Sequence, residues 1–305
     1  MSWPNRARAI LPIRVKDEAD RYRIANIEVI RDTLAGQGPH RTVADPEQGM
    51  RVVFNISAKN ALAFLDVQSG KPGRGAYLNR RAAARVVGQP LKGSTIRDRV
   101  DDVLADIAPG TLSAQNAHYG AMELNGTGMA YFGDICLVLK TAAVPQNTLT
   151  LLRNSYDLTV APVVANLYVP GDRTRTHKRA VRRVREWAGL WSQDVPDMAV
   201  VKLLQHAPPS ERRLTTGQIS DRLLEDEDYI EVVLAAGFTP ADVHEIRLSA
   251  QDVAKQGHIA DALTRGPVSS VCDLLWRHRR RAVQALAQRS GMRCRVVTAT
   301  GRSRA

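Results

Sequence analysis

The sequence predicts an α+β protein, and three observations carry that expectation. Short β-rich runs bounded by Gly, Pro and Asn recur through the middle and last third of the chain. Helical periodicities flank and interrupt these runs without regular strand–helix alternation, which argues against a parallel βαβ sheet. The 305 residues are 44% hydrophobic and 24% charged, the composition of a globular chain long enough for a substantial core.

At the N-terminal end, Ile24, Ile27, Ile30 and Leu34 recur at three- and four-residue spacing, so residues 1–48 read as a helical extension packed on the main body of the protein. A Gly/Pro/Asp-rich connector then leads to a strand at Arg51–Phe54 and a helix opened by Ser57, the expected N-cap, with Ala58, Ala61, Leu62 and Leu65 on one face. A polar, glycine-rich loop separates that helix from another at Ala82–Val87, and residues 94–107 give a third. Ile135–Leu139, Thr148–Leu152 and Val163–Val169 read as strands, followed by a basic helix at 176–191. Met198–Leu204, Tyr229–Leu234 and His244–Leu248 read as further strands, with helices at 257–264 and 268–289. The expected organisation is the extension, a main domain over 49–290 and a loose basic tail over 291–305.

Charge is segregated. Residues 173–185 hold seven Lys/Arg and residues 274–305 nine Arg, neither with an acid, so these segments outweigh the chain's net +12 and the remainder is net acidic. Such patches suit phosphate backbones, which makes nucleic acid the expected partner. The candidate contacts are Arg179, Arg182, Arg183 and Arg185, with Ala180, Val181, Val184 and Trp187 forming a stripe that docks the helix. No apolar run approaches the length of a membrane span, and the N-terminus lacks an apolar leader, so neither a membrane nor export is expected. Cys136, Cys272 and Cys294 offer no disulfide framework or zinc spacing and fit reduced thiols in a cytoplasmic protein.

Several chemistries lack their motifs. Gly126-Thr-Gly128 is followed by glycine only at Gly133, missing the dinucleotide fingerprint. Gly70-Lys71 lacks the upstream glycine of a phosphate loop, and His244-Glu245 has Leu248 where a zincin needs its second histidine. The seven histidines are scattered singly, and no metal is expected.

What remains is Glu231, between Ile230 and Val232 in a strand that turns at Gly237 into Thr239-Pro-Ala-Asp242 and a further strand. A carboxylate there faces either solvent or a cleft. This stretch resembles the C-terminal half of the ADP-ribosyltransferase superfamily, whose catalytic glutamate stands on such a strand. Arg51-Val-Val-Phe-Asn55-Ile-Ser57 resembles the family's first core strand, with asparagine in place of the usual histidine or arginine. Gly75-Ala-Tyr77-Leu-Asn-Arg80-Arg81 resembles the NAD-contacting loop of DarT-type nucleic-acid ADP-ribosyltransferase toxins, and Thr148–Ser155 falls where members carry a Ser-Thr-Ser strand.

The resemblance implies a split, mixed and largely antiparallel sheet, with NAD as substrate. Glu231 would stabilise the oxocarbenium-like state and Tyr77 would stack on nicotinamide. Arg80 or Arg51 would neutralise the pyrophosphate, with Asn55, Ser57 and Ser155 completing the cofactor contacts. It further implies a toxin or defence effector, with an antitoxin or immunity protein as a possible partner. Two other classes stay open: a non-enzymatic nucleic-acid-binding protein of a phage or mobile element, and a metal-dependent nuclease using Asp134, Asp157 and Glu123.

Overall fold

A computed structural model describes residues 49–89, 96–108, 110–113, 115–124, 126–155, 173–206, 229–266 and 270–297, together with helical positions between 21 and 34. The strands are β1 (Arg51–Ile56), β2 (His118–Glu123), β3 (Ile135–Leu139), β4 (Leu149–Leu151), β5 (Ala188–Leu190), β6 (Glu231–Leu234), β7 (Val243–Ser249) and β8 (Arg293–Val297). The helices are α1 (Ala58–Leu65), α2 (Arg80–Val86), α3 (Ile96–Ile107), α4 (Arg173–Trp187), α5 (Trp191–His206), α6 (Ala250–Arg265) and α7 (Val271–Arg289). All eight strands join one mixed sheet in the order β5-β4-β6-β2-β1-β3-β7-β8, antiparallel except for the β7–β8 edge. The α+β expectation is met.

The middle of this sheet comes apart. The β1–β2 ladder runs only from Arg51↔Glu123 to Val53↔Ala121. Beyond that rung β1 continues beside β3 as far as Ile56↔Ile135, while His118–Gly120 of β2 pair only with β6. Gly120 marks the parting. A Cβ there would lie 2.7 Å from the Val53 carbonyl oxygen and 2.9 Å from the Phe54 ring, so a larger residue would drive the strands apart where they still touch.

Strand alternation gives the two faces different characters. Val52, Phe54, Met122, Leu137, Val232 and Ile246 face the main core, covered by Phe64 and Leu65 of α1, Val195 and Met198 of α5, and Val283 and Ala287 of α7. Ile30 and Leu34, at the described N-terminal helical positions, pack into this core. On the opposite face, Leu149, Leu151 and Val233 are covered by Val100, Val103 and Leu104 of α3 and by Ala180, Val181 and Val184 of α4.

The rest of that second face combines a smaller apolar cluster, Val53, Ala121, Cys136, Val138 and Tyr229, with buried polar side chains. Glu245 of β7 accepts from Arg247 Nε and Arg295 Nη2, each at 2.7 Å. The neighbouring arginines hold its carboxyl below the usual range even though burial opposes them. Arg280 of α7, the helix that packs on the main core, is wholly buried. It bonds Asp134 Oδ2 at 2.9 Å, the Asp134 carbonyl at 2.7 Å and Asp252 Oδ2 at 3.2 Å.

The structure departs from the sequence reading at several elements. Met198–Leu204 is helical, within α5. Met198–Leu203 are all buried, so the apolar run carries no periodicity to separate helix from strand. The basic helix ends at Trp187, and Ala188–Leu190 forms β5 instead. Helix α6 begins at Ala250, capped by Ser249, seven residues before the expected start. Arg293–Val297, read as loose tail, is the edge strand β8, and β2 was not anticipated. The expected strand at Val163–Val169 lies outside the described residues.

Candidate active site

The parted strands open a cleft of about 940 Å³. Val53, Asn55 and Ile56 of β1 form one wall and residues 117–121 the other, with Glu231, Tyr77, Arg80, Arg81, Arg97, Asp101, Met129, Tyr131, Phe132 and Asn154 completing it. That volume lies near the upper end of the range for small-molecule sites.

Glu231 opens β6, an interior strand between β4 and β2, and is 1% exposed. Register sets it beside Ala121, one strand from the rung where β1 and β2 separate. Of the two fates open to a carboxylate on this strand, the structure takes the cleft. The Ser155 backbone N–H donates to Glu231 Oε2 at 2.9 Å, and the Ser155 hydroxyl accepts from Arg97 Nη1 at 2.9 Å. Burial raises the Glu231 pKa, while Arg97 and the Ser155 contacts pull it back. The result is a desolvated carboxylate buried in the fold yet lining a cleft, with the Arg97 guanidinium as an opposing charge.

Arg97 anchors the local network. It lies 3.5 Å above the Tyr119 ring and 3.5 Å from Asp101, and Tyr119 donates a short hydrogen bond to the same Asp101. Burial leads the rise in the Tyr119 phenol pKa, with the Asp101 charge adding to it. Arg81 ties to Asp98 at 3.0 Å and Asp101 at 3.6 Å, and Arg80 pairs closely with Asp98.

Tyr77 packs flat on Phe238, with ring centroids 4.7 Å apart and planes at 13°, and touches Phe54 and His118. Burial pushes its phenol up to about 12, so it stays protonated at neutral pH. The aromatic group joins the cleft wall to the core.

The sequence-derived candidates divide. Glu231, Tyr77, Arg80 and Asn55 line the cleft, and Ser155 braces Glu231 from behind. Ser57 is the N-cap of α1, accepting from Asn60 N at 3.3 Å, and does not line the cleft. Arg51 is buried at the other end of β1 against Thr141 and also stands outside it. Asn55 has a different occupation from the one expected. Its Nδ2 donates to the carbonyls of Thr127 at 2.8 Å and Gly133 at 3.1 Å, and its Oδ1 accepts from Met129 N at 2.7 Å. Both ends of the amide therefore hold the 124–133 loop.

The chain matches no family model and no curated protein.

Away from the cleft, α4 presents Arg179, Arg182 and Arg185 to solvent, while Ala180, Val181 and Val184 are buried, as the stripe predicts. Arg185 also donates to the Asp106 carbonyl at 3.1 Å. The Arg183 side chain lies outside the described residues. The second basic segment is less available than its charge suggests, because Arg280 and Arg295 are committed to internal acids. Among the described residues no three His, Cys, Asp or Glu converge as metal ligands. Of the acids named for a nuclease, Asp134 pairs with Arg280 and caps α1 through Ala58 N, and Glu123 accepts from Leu124 N and Gly128 N. Asp157 is outside the described residues. Among the described residues no helix is long and apolar enough to cross a membrane.

Sequence reasoning missed Arg97, Asp101 and Tyr119. The i,i+4 spacing of Arg97 and Asp101 was visible on the 94–107 helix, but their convergence on Glu231 depends on β2, which carries Tyr119.

Proposed function

We propose that the protein is an NAD-dependent ADP-ribosyltransferase whose acceptor is a nucleic acid or a nucleic-acid-bound protein. The observation that carries this reading is Glu231, a desolvated carboxylate braced by Ser155 and Arg97 in a cleft opened by the parting of β1 and β2.

The chemistry needs few groups. As the bond between nicotinamide and ribose C1′ breaks, its electron pair leaves with nicotinamide and positive charge develops on the sugar. A carboxylate accepting from the ribose 2′-OH stabilises that charge, and water cannot dilute the interaction in a buried site. Glu231 fills this role in its ionised form. The acceptor atom then bonds C1′ and releases its proton. Arg80, Arg81 and Arg97 supply the positive wall for the pyrophosphate, and Tyr77 offers its ring to nicotinamide. Asn55 acts one step back, by holding the loop that borders the cleft.

The exposed arginines of α4 engage acceptor phosphates. The likeness of Gly75–Arg81 to the DarT-type loop extends the proposal to a toxin or defence effector working in the cytoplasm, with a neutralising partner protein. The test is incubation with NAD labelled in its adenylate half, in the presence of DNA, RNA and protein fractions. Label covalently attached to one fraction is the expected result. Binding to nucleic acid with neither transfer nor nicotinamide release would instead support a non-enzymatic binding protein.

A further inference from the structure

Tyr131 and Phe132 are the two large aromatics that stand exposed among the described residues, at 57% and 54%, and they are adjacent. They form an edge-to-face pair with ring centroids 5.1 Å apart on a 3-10 turn, and both line the cleft. Single exposed apolar residues need no explanation, but a paired aromatic surface at a cleft is a different matter.

The backbone beneath them is held firmly. Asn55 makes three bonds to the 124–133 loop, Glu123 accepts from Leu124 N and Gly128 N, and Arg247 donates to the carbonyls of Leu124 and Gly126, each at 3.0 Å. Gly128 has a φ of +64°, and a Cβ there would fall 2.4 Å from Asn55 Oδ1, so the loop presses directly onto its clamp. Three buried or half-buried polar side chains are therefore spent on fixing a loop whose outward product is two half-exposed rings.

We infer that Tyr131 and Phe132 are the acceptor platform, on which an unpaired base of a single-stranded nucleic acid stacks at the mouth of the cleft. This inference rests on the ADP-ribosyltransferase reading for the identity of the acceptor. Stacking serves any base and demands rigid, exposed rings near cationic groups. The cleft supplies those cations in Arg80, Arg81 and Arg97. Degree of exposure separates acceptor from dinucleotide. A small ligand is mostly enclosed by its site, whereas rings more than half open to solvent are covered only by something that extends beyond the cleft.

The test compares wild type with Tyr131→Ala, Phe132→Ala and the ring-preserving Tyr131→Phe and Phe132→Tyr. Binding of short fluorescent single strands of DNA and of RNA, and of a duplex of matching sequence, is read by anisotropy at one salt concentration. Each alanine variant should weaken single-strand binding by about 5- to 100-fold, with duplex binding little changed and the ring-preserving variants close to wild type. Melting temperatures should stay put, because the rings are exposed. Alanine variants that bind single strands as wild type does would overturn the proposal, as would a wild type with no preference for single strands. NAD added in excess should raise the melting temperature of wild type and of each variant alike; alanine variants that lose this NAD-induced shift would also overturn the proposal, since the rings would then serve the dinucleotide. A wild type that binds single strands through these rings but shows no NAD-induced shift removes the transferase reading and leaves the platform in place.

Discussion

Replacing Glu231 with glutamine separates catalysis from folding because the two pull in opposite directions. The amide keeps the size of the carboxylate and an oxygen to accept from Ser155 N, now 2.9 Å from Oε2. It loses the negative charge that would face the developing oxocarbenium. Removing one preorganised electrostatic contact from a water-excluded site costs about 3–4 kcal/mol of transition-state stabilisation, or about 10²- to 10³-fold in turnover. Stability should move the other way. Burial raises the Glu231 pKa, so the folded protein holds this proton more tightly than the unfolded chain does. The ionised group therefore destabilises the fold, by an amount that grows as pH rises from the ordinary glutamate range, about 4.3, towards the raised value. Glu231→Gln should melt at or above the wild-type temperature at neutral pH, and the difference should shrink towards zero below pH of about 4. If Glu231 acts ionised, the same titration should set an acid limb on wild-type turnover, above the usual carboxylate range. The assays are nicotinamide release by purified protein and thermal melts across a pH series. Unchanged release would remove Glu231 from the mechanism, and a sharply lowered melting temperature would show that its charge supports the fold.

Three further outcomes rest on geometry. Asn55→Ala deletes three hydrogen bonds to the 124–133 loop and should cost about 2–4 kcal/mol in urea denaturation; an effect below about 1 kcal/mol would mean the loop is held without it. Arg280→Leu leaves Asp134 and Asp252 without their shared cation and should cost about 3 kcal/mol, the lower end for a broken buried pair because both acids keep some solvent contact. A melting temperature equal to wild type would contradict this. Reversing Arg179 and Arg182 to Glu should weaken nucleic-acid binding and flatten its dependence on log salt, while nicotinamide release without acceptor stays intact; an unaltered slope would mark this helix as a solvated face.

Where the sequence was legible, local pattern and tertiary role agreed. β1 and β3 are largely aliphatic runs and β7 alternates apolar with polar residues, all at interior positions of the sheet, and α1 carries both its cap and its apolar stripe. Glu231 stood out because a lone carboxylate interrupts such a run. β2 was hidden because its strand signal is diluted by Gly120, Ala121 and Glu123, each answering to a neighbour: Gly120 to the Val53 carbonyl, Ala121 to tight packing beside Glu231, Glu123 to the loop backbone. Asn55 read as a ligand because its loop partners lie 72 to 78 residues away. The arginines after residue 274 read as one cationic patch for the same reason, since Asp134, Glu245 and Asp252 are remote in sequence.

Arg280 has a consequence for how the protein could be shortened. Its guanidinium, on α7, meets the carboxylates of Asp252 on α6 and Asp134 just before β3. Asp134 also caps α1, which contributes Asn60, Ala63 and Phe64 to the cleft wall. The last long helix is thus wired into the first cleft-side helix through two side chains. A fragment ending before residue 270 would expose the Val283 and Ala287 contacts of the main core and strand two acids at once. The C-terminal helices and the cleft should protect their amides from hydrogen exchange as one cooperative unit, and there is no smaller autonomous module to be cut from the chain at that point.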